Sequence, residues 1–106
     1  MGKRMIYFRV YPDITRNRKI RELDFEGRWL WVVLLSIASE NNGRIEKDID
    51  RIAHHSRISV ENVKKAISDM LEVKLLEEDE NHYIPCNDDE SPLFSFTSSQ
   101  ANYMRE

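Results

Sequence analysis

The chain has 106 residues, room for one domain with a modest core and no more. Apolar residues at 41% and charged residues at 33% suit a soluble globular chain. The net charge of −3 excludes a strong overall pull on nucleic acid, and the single Cys86 excludes an internal disulfide framework.

Charge is unevenly spread along the chain. Residues 1–28 carry eight Lys/Arg against four Asp/Glu, residues 29–74 seven of each, and residues 75–106 one Arg against eight acids. A phosphate-binding surface is therefore expected in the first two thirds. Met1-Gly2-Lys3-Arg4 is basic, but an alternating segment follows it and not an apolar run, so no secretory signal is expected. The dense apolar stretch from Trp29 to Leu35, extended by Ile37 and Ala38, is too short to span a bilayer. No membrane partner is expected, and the cytoplasm is the natural compartment.

From Met5 to Tyr11 the chain alternates, with Ile6, Phe8 and Val10 on one face. This predicts a half-buried strand stopped by Pro12. Its backbone edge is available either to this chain or to a second copy. Asp13 to Arg21 reads as a loop or short helix with a basic surface, anchored by Ile14 and Ile20. Asp24 is an N-cap for a helix from Phe25, whose run from Trp29 to Ala38 leaves almost no polar stripe. Such a helix packs on more than one side, with Trp29 and Trp31 as core or interface residues.

Asn41-Asn42-Gly43 is a stop, because these residues tolerate the left-handed cap. Gly43 to Ile45 is then extended. Asp48 caps a second helix through about His55, with Ile49, Ile52 and Ala53 inward, and residues 54–58 make a turn. Ser59 caps a third helix. Its Val60, Val63, Ala66, Ile67, Met70 and Leu71 recur three and four apart and form one apolar face. Leu75 to Glu78 and His82 to Ile84 predict a hairpin turning at Asp79-Glu80-Asn81 and ended by Pro85. The expected class is mostly α with a small β-hairpin (α+β), a single winged helix-turn-helix domain over residues 1–86. Residues 87–106 read as a polar tail or a linker to a further domain, with Leu93, Phe94, Phe96, Tyr103 and Met104 as scattered anchors by which it could dock on the domain.

Helix, short strand, helix, turn, helix and hairpin in this order define a helix-turn-helix with a wing. The third helix would lie in the major groove of duplex DNA, its N-terminal residues nearest the bases. Asn62 suits an adenine edge and Lys65 a guanine edge, while Arg57, Ser59 and Lys64 suit phosphates. Arg16, Arg18, Lys19 and Arg21, with Arg28 as a further cation, supply the compensating charge. Against this, Glu61, Asp69 and Glu72 oppose a polyanion, as do Glu77, Glu78, Asp79 and Glu80 in the wing. Protein docking or oligomer assembly on the same scaffold is the alternative.

Catalytic and cofactor chemistry find no support in the residues. His54 and His55 are adjacent and so face different ways on a helix, and His82 with Cys86 falls short of a zinc site. The glycines at 2, 27 and 43 are scattered, so no phosphate loop is expected. The expected protein is not an enzyme and has no metal and no cofactor.

Tyr7-Phe8-Arg9-Val10-Tyr11, residues 17–23 and residues 28–38 together resemble phage and prophage replication proteins of Gram-positive bacteria. These are replisome-organiser or initiation proteins whose N-terminal winged helix is similar to that of the primosomal protein DnaD. Asn42 to Ile45, Asp48-Ile49, Ile52-Ala53, Ser59 to Val63 and Leu75 to Glu77 continue the resemblance. Phe96, Gln100 and residues 103–106 look like the start of the family's aromatic, Gln and Arg-rich continuation. The resemblance implies recognition of an origin or other duplex DNA, self-assembly as a homo-oligomer, and a host helicase loader or other primosome protein as partner. It also implies the first domain of a longer chain. The other readings are a primosome interaction and oligomerisation module with little DNA affinity, and a small transcriptional regulator.

Overall fold

The computed structural model describes residues 8–87 and 93–96. The expected strand residues Ile6 and Tyr7, and Gln100 and residues 103–106 of the resemblance, lie outside the described residues. The elements in order are β1 (Phe8–Val10), a 3-10 turn (Pro12–Thr15), α1 (Arg18–Arg21), α2 (Phe25–Glu40), β2 (Ile45–Glu46), α3 (Ile49–Ser56), α4 (Val60–Glu72), β3 (Leu76–Glu78), β4 (His82–Pro85) and β5 (Phe94–Phe96). They form an α+β domain with small antiparallel sheets.

Local chemistry sets the helix starts. Asn17 Oδ1 accepts from the backbone N–H of Lys19 and Ile20, Asp24 Oδ1 from Gly27, Asp48 Oδ1 from Arg51, and Ser59 Oγ from Asn62. Each satisfies donors that the first helical turn leaves without an internal partner. The end of α2 is equally local. Asn42 and Gly43 take φ of 59° and 83°, and the Gly43 N–H donates back to Ala38 O at 2.8 Å. The α3–α4 turn is shorter than the sequence predicts. His54, His55 and Ser56 remain helical, and Arg57 alone reverses the chain at φ 64°.

The core forms around α2, which packs on α3, α4, β1, β2 and β4. Leu30, Trp31, Leu34 and Leu35 are fully buried there, against Val63, Ile67 and Met70 of α4 and Leu75 and Leu76 at the start of the hairpin. Helix α2 packs on more than one side, as its apolar run predicts, and one part of it stays exposed. Phe25 is 84% exposed and Trp29 54%, so one strip of the helix is uncovered. Trp29 keeps its polar end satisfied by donating from Nε1 to Ser56 O at 3.0 Å.

One sheet has the order β2-β4-β3, with Ile45 opposite Tyr83 and Leu76 opposite Pro85. Pro85 is buried and is the last residue of β4, and just beyond it the Cys86 N–H donates to Leu75 O at 2.9 Å. Proline is tolerated because that position needs no N–H for the ladder.

The second sheet pairs β1 with β5, Phe8 opposite Phe96 and Val10 opposite Phe94. Residues 93–96, within the segment read as a tail, therefore return to the domain, and Leu93 and Phe94 are buried. Val10, expected on the inward face, is 42% exposed.

Asn87 fastens this return. Its Oδ1 accepts from Leu93 N at 2.7 Å and Phe94 N at 3.0 Å, and its Nδ2 donates to Phe94 O at 2.9 Å. Asn87→Ala is expected to cost about 1–3 kcal/mol, since each such bond contributes about 1 kcal/mol net. It should also speed amide exchange at Leu93 and Phe94 while leaving α2 protected. Unchanged exchange there would remove the clamp from the account.

Candidate nucleic-acid interface

The polar side of α4 begins where Ser59 caps the helix. Glu61, Asn62, Lys64, Lys65, Ser68 and Glu72 are exposed and Asp69 is half-buried. With α2 and α3 packed on its apolar face, the 13-residue helix forms a rod of about 20 Å. Its free side is long enough to lie in a groove about 12 Å wide.

Two of the expected base-reading side chains are already engaged within the protein. Asn62 Nδ2 donates to Glu26 Oε1 at 2.8 Å, and Lys65 Nζ lies 3.5 Å from Asp69 Oδ2. Glu26 is in the first turn of α2, 36 positions away in sequence, so no local signal announces it. Leu23, Asp24 and Glu26 line a shallow depression with Asn62, Lys65 and Asp69, which places the α1–α2 corner beside α4. Both contacts are exposed polar pairs of the kind that contribute little to stability. They can be exchanged for a ligand without opening the core.

The other expected residues divide into groups. Arg57 and Ser59 sit at the N-terminal end of α4, Arg57 exposed and Ser59 serving as the cap. Lys64 is exposed on the rod. Arg18 and Arg21 are exposed on α1, and Arg16 is exposed in the turn before it. Lys19 is half-buried, and its charge acts on Cys86 at the end of β4. Arg28 is turned back onto α1, donating from Nε to Ile20 O at 3.3 Å and from Nη2 to Arg21 O at 3.0 Å. Arg21 and Arg28 thus border Val32 of α2, while Lys64 lies on α4 and Arg57 just before it.

The hairpin beside them is acidic. Glu77, Glu78, Asp79 and Glu80 are all exposed. Lys47 Nζ neutralises one of them, 2.8 Å from Glu78 Oε1 and 5.3 Å from the Tyr83 ring centre. That hydrogen bond to Glu78 raises the Lys47 pKa above its usual value. Asp79 accepts from the backbone N–H of Asn81 and His82, and the Asn81 N–H leads in holding its carboxyl below the usual range. The tip therefore stays anionic at neutral pH.

Burial pushes the Cys86 thiol up to about 11, with Glu77 adding to the effect. A protonated thiol is a poor nucleophile. Alkylation by iodoacetamide should be slow at neutral pH and rise about tenfold per pH unit toward the thiol's own pKa, as the thiolate fraction grows. Rapid labelling at pH 7 that is flat with pH would contradict the burial. Among the described residues no three His, Cys, Asp or Glu side chains gather as a metal-holding group, and no helix is long and apolar enough to cross a membrane.

No protein-family model matches this chain, nor does any curated protein or solved structure.

Proposed function

We propose that the domain is a winged helix that binds double-stranded DNA, as the module of a phage-type replication initiation or organiser protein. Helix α4 reads the major groove, β3 and β4 form the wing, and Arg16, Arg18, Lys19 and Arg21 approach phosphates. The observation that carries the reading is the uncovered polar side of α4, backed by two packed helices and opened by the Ser59 cap. The helix order and the β2-β4-β3 sheet support the winged-helix assignment.

Because Glu77 to Glu80 repel a backbone, the wing stands off the DNA and contact is made by α4 and its basic flank. Six neutralised phosphates would give a salt slope of roughly −5. The test is duplex binding by fluorescence anisotropy at two salt concentrations, for the parent and for Asn62→Ala combined with Lys65→Ala. Salt-insensitive binding, or affinity indifferent to the double substitution, would overturn the reading.

A second reading has its own observation. The acidic hairpin and the uncovered Phe25–Trp29 strip suit a protein-interaction or oligomerisation module with little DNA affinity. Sedimentation of the chain without DNA separates self-association from duplex binding.

A further inference from the structure

Positions 25, 28, 29 and 32 fall on one face of α2. Phe25 and Trp29 on this face are exposed, and Val32 is half-buried. Beside Val32 lies an open apolar cavity of about 230 Å³, walled by Ile14, Ile20, Trp31 and Val32 and bordered by Arg21 and Arg28. We propose that this face docks an acidic amphipathic segment of a protein partner. One apolar side chain of the segment seats in the cavity, and a carboxylate pairs with Arg21 and Arg28.

Size argues for a side-chain anchor. The cavity falls below the roughly 300–1,000 Å³ of a small-molecule site. A small molecule would also leave Phe25 and Trp29 in water, whereas a segment lying along α2 covers them. Charge argues for the acidic partner. The Arg28 guanidinium is held by the carbonyls of Ile20 and Arg21 and stands 5.6 Å from the Phe25 ring centre. It is therefore positioned before anything binds, with donors left over. The Arg21 side chain has no partner among the described residues.

A nucleic acid strand fits less well. Glu22, Asp24 and Glu26 are exposed at the same end of α2 and would meet a continuous run of phosphates. A peptide can place its carboxylates opposite the arginines alone. Docking here does not depend on DNA binding by α4.

The test uses the full chain and a panel of synthetic helical peptides carrying Leu or Phe at i, i+3 and i+7, flanked by either Glu or Lys. Binding is followed by Trp fluorescence and by the two indole N–H resonances. The Glu-flanked peptides are expected to bind about tenfold or more tightly than the Lys-flanked ones. Arg21→Glu should reverse that preference, and Val32→Ser should weaken binding while leaving duplex DNA affinity unchanged. Amide spectra establish that both variants remain folded. The proposal is overturned if no peptide of the panel binds, or if Glu and Lys flanks bind alike. It is equally overturned if Arg21→Glu has no effect, or if the same resonances respond instead to single-stranded oligonucleotide or to protein concentration alone.

Discussion

Replacing Trp31 by alanine is expected to remove about 3–5 kcal/mol of stability, a large share of the roughly 5–15 kcal/mol of a typical domain. Trp31 is wholly buried at the centre of α2, and its ring meets Phe94 edge-on at 5.8 Å between centroids and 76° between planes. Removing it opens a cavity in the core and takes away the ring that Phe94 of β5 packs against. One feature opposes the loss. The indole Nε1 is buried with no acceptor among the described residues, and an unpaired buried donor costs about 1–3 kcal/mol. Trp31→Phe, which removes the donor and keeps a ring, should therefore cost much less than Trp31→Ala. Urea unfolding of the two variants measures both. A loss under about 1.5 kcal/mol for the alanine variant would mean that Trp31 is not at the centre of the core.

The second large effect belongs to the proposed DNA surface. Asn62→Ala with Lys65→Ala should weaken specific duplex binding by roughly 2–5 kcal/mol, two base contacts at about 1–3 kcal/mol each. The free protein's own contacts sharpen this expectation. Asn62 must leave Glu26 and Lys65 must leave Asp69 before either reads a base. Truncating the pair leaves both carboxylates beside the phosphates with no cation between, so the loss should lie toward the upper part of that range. Glu26→Gln discriminates further. It removes a negative charge from the α4 flank and should strengthen duplex binding, whereas under a protein-docking reading it has no such effect. Folding is not the issue in either case, because both pairs are exposed.

Much of the fold could be read along the chain because it is decided within a few residues. Asp24, Asp48 and Ser59 each cap the helix that the apolar spacing predicts, and Asn42 and Gly43 end α2 with positive φ. The face formed by Val63, Ala66, Ile67 and Met70 is buried as its spacing requires. The hairpin turns at Asp79 through the local acceptor geometry of its carboxylate. These features need no knowledge of distant residues.

What spacing could not supply is which distant side chain arrives where. The run from Trp29 to Ala38 leaves almost no polar stripe, yet Trp29 is exposed, with no element of the described residues laid over it. Asn62 is exposed on the third helix, yet Glu26 from the first turn of α2 reaches it, whereas the Lys65–Asp69 pair is one helical turn apart and local.

Hydrophobic periodicity and capping act over a single turn or strand, so the main helices, their caps, the hairpin and the inward face of α4 follow from the residues in order. That β5 pairs with β1, that the α1–α2 corner lies beside α4, and that a cavity opens between Ile14, Ile20 and Val32 emerges on folding. Those outcomes depend on how rigid elements pack at long range. Packing is settled by shape and by the burial of shared surface, neither of which is written in any one stretch of the chain.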